Sequence, residues 1–160
     1  MPRGFEDWRS PRIVEALPAE DVDWIVITKT DVVEAGKSDP EIIRADEGYL
    51  YEVIGMYLNV PPPSGASSGS HFLSVATELG NLGIIRGDSN YDDYITFNFY
   101  QWVNATLGEF PSDRAAQASA VRGLRFDENN GISINYVNYT NANQTGSRTY
   151  IVWVRKIRRV

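Results

Sequence analysis

The sequence contains one histidine, His71, and no residue set around it at the spacing that nucleophilic catalysis requires. A Ser-His-Asp arrangement needs a nucleophile, a base and a carboxylate that orients the base, and the neighbours of His71 do not supply such a set. Cysteine is absent, so disulfides and thiolate metal ligands are excluded. We therefore predict a structural role for His71 and no catalytic residues in this chain.

Three pairs of adjacent carboxylates are the other groups with acid–base chemistry: Asp46–Glu47, Asp92–Asp93 and Asp127–Glu128. Glycoside hydrolysis needs two carboxyl groups that face the same sugar cleft. Adjacent residues on a strand point to opposite faces, and each of these pairs lies in a segment typical of a turn. We therefore predict that the pairs cap turns rather than act on a substrate.

The segment from Asp88 to Asp93 is rich in the oxygen atoms that calcium accepts as ligands. It lacks the glycine and the bidentate glutamate that an EF-hand loop places at fixed positions. A polar turn is the favoured interpretation and a calcium loop is the alternative. We predict no metal ion and no cofactor for this protein.

Two further patterns carry chemistry only weakly. Asn104, Asn138 and Asn143 each begin an Asn-x-Ser/Thr sequon, but no export signal accompanies them. Tyr94, Tyr100 and Trp102 fall on one side of a predicted strand and are of the type that stacks on sugar rings. The same alternation is equally typical of a core or an interface.

The length and composition predict one folded domain that needs no membrane. At 160 residues, with 42% hydrophobic and 12% aromatic content, the chain can bury a substantial core. The formal net charge of −6 argues against nucleic acid and anionic membrane as partners. No apolar run approaches the roughly 20 residues of a membrane helix. The polar N-terminus also lacks the apolar region of a signal peptide.

Short alternating or apolar runs, separated by turn residues, predict an all-β protein. The pattern favours an antiparallel β-sandwich of about eight or nine strands, with a jelly roll as the leading topology and a closed barrel second. We divide the chain into an N-terminal arm (1–20) and a single sandwich domain (21–160). Asn130-Gly131 is a turn signal, and it predicts a hairpin between the strands 121–126 and 131–139. The predicted strands are 23–30, 40–45, 49–60, 71–79, 81–86, 94–103, 121–126, 131–139 and 148–157.

Three of these strands are apolar on both faces: 24–27, 50–58 and 150–154. One face is expected to fill the sandwich interior, with Ile54 beside Met56 if the alternation of strand 49–60 is strict. The other face needs a cover. The arm, the irregular crossing 104–119 or a neighbouring subunit would each supply one, and we favour the subunit.

The two ends of the chain carry the candidate partner-binding residues. The arm contributes Phe5, Trp8, Arg9 and Arg12, and the basic C-terminus contributes Arg155, Lys156, Arg158 and Arg159. One interpretation is that these are solvated ends. The other is that the aromatic arm and the basic end contact another copy of the chain or a larger assembly.

The C-terminal third resembles small β-sandwich virion proteins of tailed bacterial and archaeal viruses, in particular head decoration and tail-associated proteins. The resemblance is carried by Gly123–Asp127, by Gly131–Thr140 with its Gly-apolar-x-apolar-x-Tyr-x-Asn pattern, and by the Arg-x-apolar strand Arg148–Val154. It implies assembly in the host cytoplasm, self-association, often as trimers, and binding to the major capsid or tail protein of the same particle.

The resemblance implies no enzymatic activity and no catalytic residues. The alternative function is a carbohydrate- or receptor-binding module of a virion or tail, with Tyr94, Tyr100 or Trp102 as the platform and a glycan as the ligand. A β-sandwich hydrolase is the least supported function, because the chain offers no nucleophile and base.

Overall fold

The structure is a computed structural model that describes residues 22–78, 83–100 and 124–159; for 83–87 and for 99 and 100 it describes the backbone alone. The predicted arm (1–20) and the crossing (104–119) lie outside these ranges. The described residues form nine strands. They are β1 (Val22–Lys29), β2 (Ser38–Ile43), β3 (Tyr49–Val60), β4 (Gly69–Thr77), β5 (Gly83–Asn90), β6 (Ile95–Tyr100), β7 (Arg125–Asp127), β8 (Ile132–Thr140) and β9 (Arg148–Arg158).

The strands form two antiparallel sheets that pack against each other, so the predicted all-β antiparallel sandwich is confirmed. Sheet I has the order β1-β9-β3-β6, and the short β7 also pairs with β3. Sheet II has the order β2-β8-β4-β5. The pairs are nested along the chain, because β1 pairs with β9, β2 with β8, β3 with β6 and β4 with β5. Each step inward along the chain thus adds one more antiparallel pair.

One hydrophobic core lies between the sheets and is built from alternate residues of each strand. On β9 the inward row is Tyr150, Val152 and Val154, as the alternation predicts. The inward row of β8 is Ile132, Ile134 and Tyr136, also as predicted. The remaining strands contribute these residues to the core cluster: Ile43, Tyr51, Val53, Met56, Leu58, Val60, Leu73, Val75, Ile95, Phe97 and Phe126.

A β-bulge interrupts the alternation of β3. Trp153 lies opposite Gly55 while Val154 lies opposite Val53, so Ile54 is an extra residue on this strand. Val53 and Met56 therefore both face the core, and Ile54 does not belong to that cluster. The expectation that Ile54 shares a face with Met56 is wrong. One inserted residue moves every following side chain of the strand to the opposite face of the sheet.

The Asn130-Gly131 turn connects the two sheets and does not close a hairpin. β7, before the turn, pairs with β3 in sheet I, whereas β8, after it, pairs with β2 and β4 in sheet II. A Cβ atom on Gly131 would collide with the carbonyl oxygen of Ile43. The glycine is thus required by a close backbone approach rather than by a hairpin turn, and the predicted hairpin is wrong.

Candidate interaction surface

The outward side of sheet I carries apolar residues that lie in register across three strands. Trp24 on β1 lies opposite Trp153 on β9, and the two rings contact edge to face with centroids 5.4 Å apart. One row further, Val26, Ile151 and Tyr57 lie side by side on β1, β9 and β3. Cross-strand pairs of this kind stabilise a sheet and also present a continuous apolar surface. We call these five residues the Trp24 face.

The exposure of the Trp24 face rises toward β1. Trp153 is 6% exposed, Ile151 and Tyr57 are half-buried, and Trp24 and Val26 are 61% and 57% exposed. Monomeric proteins expose single apolar side chains routinely, but adjacent ones in register are typical of contact surfaces. Trp24 and Val26 are therefore exposed on the outward side of β1, none of the described residues covers that side, and the neighbouring subunit expected there stays a prediction.

The outward side of sheet II is more polar. Its central positions are Ser74 on β4 and Asn135 on β8, which lie opposite each other. Among the side chains described on this sheet, the exposed apolar residues are Ile42, at 44%, and Tyr139, at 58%, whose ring lies 5.4 Å from that of Phe72. Apolar residues in register across three strands thus mark sheet I as the side suited to a partner.

The predicted basic C-terminus is part of strand β9 and the residue after it. The Arg155 guanidinium pairs with Glu52, which is 8% exposed. The Lys156 ammonium lies 3.7 Å from Asp23 and 3.9 Å from Asp46, and 5.4 Å from the centre of the Tyr49 ring. Both cations are therefore held by acidic side chains of their own chain.

The last two cations are engaged in the same way. Arg158 donates to the Tyr49 hydroxyl at 3.0 Å, and its guanidinium lies 5.2 Å from the centre of that ring. Arg159 donates to Asp127 at 3.2 Å and to Glu128 at 2.5 Å. A partner would have to compete with these contacts, so the partner-binding role of the four cations stays a prediction. Phe5, Trp8, Arg9 and Arg12 lie outside the described residues.

An ionic cluster that the sequence reading missed joins the two sheets near the start of β9. Arg148 is fully buried; its guanidinium pairs with Asp39 on β2 at 2.6 Å and donates to the Asp31 carbonyl at 3.1 Å. Lys29 on β1 contacts Glu41 at 2.9 Å and Asp39 at 3.4 Å. The sequence did contain a signal for this burial. Arg148 lies two residues before the inward residue Tyr150, so both side chains lie on the same face of the strand.

His71 belongs to the same end of the interior. It is fully buried, with Nδ1 3.0 Å from the Tyr136 hydroxyl and Nε2 2.8 Å from the Asp93 carbonyl. Burial lowers the pKa of His71 below its ordinary value of 6.5. The neutral ring therefore accepts from Tyr136 and donates to Asp93, which fits the structural role predicted for it.

Amide side chains form hydrogen bonds with the backbone of loops that connect the strands. Asn138 is fully buried and donates to the carbonyls of Val33 and Ala142, at 2.9 and 2.8 Å. Asn141 accepts from the backbone N–H groups of Ser67 and Ser68. Of the three sequons, the one at Asn138 is closed to a glycan by burial, Asn143 is exposed, and Asn104 lies outside the described residues.

The paired carboxylates lie in or beside turns, as predicted, with Asp127 the last residue of β7. Asp127 accepts from the N–H groups of Asn129 and Asn130, both at 2.8 Å, and these bonds lower its pKa. Glu128 accepts from the Gly48 N–H at 2.9 Å. Asp46 accepts from the Tyr51 hydroxyl at 2.8 Å, and burial followed by this bond raises the pKa of Tyr51 to about 12.

Three other candidate features are a metal site, the sugar-stacking residues and a membrane-spanning helix. Within the described ranges no three His, Cys, Asp or Glu residues are grouped so that they could hold a metal ion. Tyr94, one of three residues proposed to stack on sugars, is 55% exposed. The Tyr100 side chain and Trp102 lie outside what the structure describes. In those same ranges no helix has the length and hydropathy needed to cross a membrane.

Fold and surface together define an all-β sandwich protein with an apolar strip on one outer face. Comparison of the sequence with protein-family models and with curated proteins finds no match. The case for a function therefore depends on the residues of this chain.

Proposed function

We propose that this protein is a non-enzymatic structural protein of a tailed-virus particle, which self-associates and binds the capsid surface as a decoration protein. The observation that carries the proposal is the Trp24 face, an apolar strip in register across β1, β9 and β3. Hydrophobic burial of such a strip by a second polypeptide contributes about 25 cal/mol per Å² before the costs of association.

The strand arrangement supports a jelly-roll topology, the architecture that the resemblance to virion proteins implies. A jelly roll is a long antiparallel hairpin rolled into two sheets. The nested pairs β1·β9, β2·β8, β3·β6 and β4·β5 are those of such a hairpin. The further pairs β9·β3 and β8·β4 are those made when it is rolled.

Light scattering of the purified full-length chain tests self-association. We expect an oligomer, for which the resemblance suggests a trimer, and a lower mass for the Trp24→Ala variant. The matched control is Val32→Ala, because Val32 is 55% exposed but lies outside the strands, and this variant should keep the wild-type mass. A wild-type chain that stays a single subunit would remove the proposal.

Capsid binding is tested on particles. Deleting residues 1–12 removes Phe5, Trp8, Arg9 and Arg12, and we expect this to abolish incorporation into particles. Unchanged occupancy would exclude the arm as the attachment element. Capsid attachment through Arg158 and Arg159 would then be tested by replacing both residues with alanine.

A carbohydrate- or receptor-binding module is the second candidate, because Tyr94 and Tyr139 each expose more than half of their surface, at 55% and 58%. Exposed tyrosines offer the apolar ring face and the hydroxyl that sugar recognition uses. Glycan-array binding that is lost in Tyr94→Ala would favour this candidate, and an array without signal would reject it.

A further inference from the structure

The Asn130-Gly131 pair, a motif that the proposed function does not use, contains a reactive side chain. It is the one Asn-Gly pair in the sequence, and every other asparagine precedes a larger residue. Glycine has no Cβ atom, so its peptide nitrogen approaches the preceding asparagine side chain with the least steric hindrance. Asn130 is therefore the asparagine whose sequence context most favours reaction with its own backbone.

The reaction is deamidation through a cyclic imide. The Gly131 nitrogen forms a bond to Asn130 Cγ, the Asn130 Cγ–Nδ2 bond breaks, and ammonia leaves with the proton of the peptide nitrogen. Water then opens the ring at either carbonyl and leaves aspartate or isoaspartate in the chain. Water is the co-reactant, and no atom changes its oxidation state.

Both residues of this pair have their backbone groups hydrogen-bonded in the folded chain. The Asn130 N–H donates to Asp127 Oδ1 at 2.8 Å, and the Asn130 carbonyl accepts from the Asp127 N–H at 3.2 Å. The Gly131 N–H donates to Glu78 Oε2 at 2.8 Å, and the Gly131 carbonyl accepts from the Glu78 N–H at 2.8 Å. The nitrogen that would attack Asn130 is thus held by the Glu78 carboxylate.

Glu78 is itself held in place by Arg44. The Arg44 Nε donates to Glu78 Oε2 at 3.2 Å, and Nη2 pairs with Oε1. The hydrogen bond from the Gly131 N–H, followed by that from Arg44, lowers the pKa of Glu78. A carboxylate with a lowered pKa is a weak base, so it accepts the hydrogen bond from Gly131 without removing the proton.

We propose that Asn130 is a deamidation site and that Glu78 slows the reaction in the folded chain by restraining the Gly131 nitrogen. Attack on Asn130 requires that this nitrogen lose its proton and turn toward the side chain, and the hydrogen bond to Glu78 opposes both. The negative charge of Glu78 also disfavours the anion that forms as the proton leaves. Local opening of this one contact then sets the rate.

Deamidation at Asn130 would alter the connection between the two sheets. Aspartate would add a negative charge to a turn that already contains Asp127 and contacts Glu78. Isoaspartate would lengthen the backbone beside Gly131, where even an added Cβ atom would collide with the Ile43 carbonyl oxygen. Either product weakens the turn that joins β7 in sheet I to β8 in sheet II. Glu78 thus protects the sandwich from a slow chemical loss of stability.

Peptide mapping by mass spectrometry measures deamidation of Asn130 in the full-length protein during incubation at mildly alkaline pH. We expect the wild-type chain to react more slowly when folded than when unfolded in urea. Glu78→Ala should raise the folded rate about tenfold, because it removes a hydrogen bond to a charged acceptor. Glu78→Gln keeps an oxygen acceptor but loses the charge, so its rate should lie between those of the wild-type chain and Glu78→Ala. This milder variant carries the test if Glu78→Ala does not fold.

Asn138→Ala is the matched control, because Asn138 is buried toward the other end of β8 and its loss lowers stability without touching the turn. This variant should keep the wild-type rate at Asn130. Equal acceleration in Asn138→Ala and Glu78→Ala would show that the reaction proceeds through global unfolding, and would overturn the role of Glu78. Unchanged rates in both Glu78 variants, equal rates in the folded and unfolded wild-type chain, or earlier reaction at another asparagine would overturn it as well.

Discussion

Arg148 on β9 and Asp39 on β2 form an ion pair, with Nη2 and Oδ2 2.6 Å apart, that joins sheet I to sheet II. The Arg148 side chain is fully buried, whereas 22% of the Asp39 side chain is exposed. The guanidinium carbon also lies 5.3 Å from the centre of the Tyr136 ring. Asp39 is the carboxylate partner of Arg148 among the described residues. A buried cation depends on such a partner, because desolvation has removed the water that would replace it.

Removing the carboxylate should therefore destabilise the sandwich strongly. Asp39→Asn leaves the buried guanidinium without a counter-charge, and we expect the free energy of unfolding to fall by about 3 kcal/mol in urea titrations. Asp31→Asn is the control, because Asp31 offers Arg148 its backbone carbonyl and its side chain is 77% exposed. Equal stability of the two variants would contradict a structural role for the ion pair.

Replacing the cation itself should cost less. Arg148→Met removes the buried charge together with its desolvation cost and keeps apolar volume, while Asp39 retains Lys29 at 3.4 Å. We expect Arg148→Met to be more stable than Asp39→Asn in the same titration. The reverse order would show that the Arg148 contacts, rather than charge compensation, hold the sheets together.

The buried amide of Asn138 is expected to be as important as the ion pair. Its Nδ2 serves two carbonyls, and its Oδ1 accepts from the N–H and hydroxyl of Thr140, at 3.0 and 2.6 Å. Asn138→Ala leaves these buried groups without the hydrogen bonds to Asn138, so the free energy of unfolding should fall by about 2 to 3 kcal/mol. Asn143→Ala, which removes one exposed bond from the Ala35 N–H, should have little effect. Similar losses for both would contradict this account.

Local signals predicted some strand bounds and missed others: β5 continues to Asn90, four residues beyond the predicted end at 86, so the polar turn predicted for Asp88–Asp93 begins only after Asn90. The bounds of β3, Tyr49–Val60, match the prediction, because Pro61 to Pro63 cannot donate to a ladder and end the strand. The inward rows of β8 and β9 follow from alternation alone. These features depend on residues close in sequence, so the sequence suffices to predict them.

Features set by distant pairing were not predictable in the same way. The bulge at Ile54 exists only in relation to β9, and the sheet to which β7 belongs depends on its pairing with β3. The burial of Arg148 was not predicted, because a charged residue is rarely buried without a partner, and its partner Asp39 lies 109 residues earlier. The Trp24 face likewise required the register of three strands.

Gly131 offers a test of the connection between the sheets. Gly131→Ala would push a Cβ atom against the Ile43 carbonyl, and the backbone N–H of Gly131 is also fixed by a bond to Glu78 at 2.8 Å. We expect a loss of about 1 to 3 kcal/mol in the free energy of unfolding. Gly65→Ala is the comparison, because Gly65 has φ 81° with open space around it and should lose only about 1 kcal/mol. A smaller loss at Gly131 would show that the turn can shift freely.

The single histidine makes the pH dependence of stability simple to assign. Because burial lowers the pKa of His71, the unfolded chain takes up the proton at a higher pH than the folded chain does. Stability should therefore be constant above the ordinary value of 6.5 and fall as the pH drops from 6.5 through the lowered pKa. Urea titrations between about pH 8 and pH 5 measure this slope, in a window above the ordinary carboxylate range. His71→Gln should be less stable at pH 8 and lack this part of the slope, and a wild-type chain with equal stability across the window would contradict a buried neutral His71.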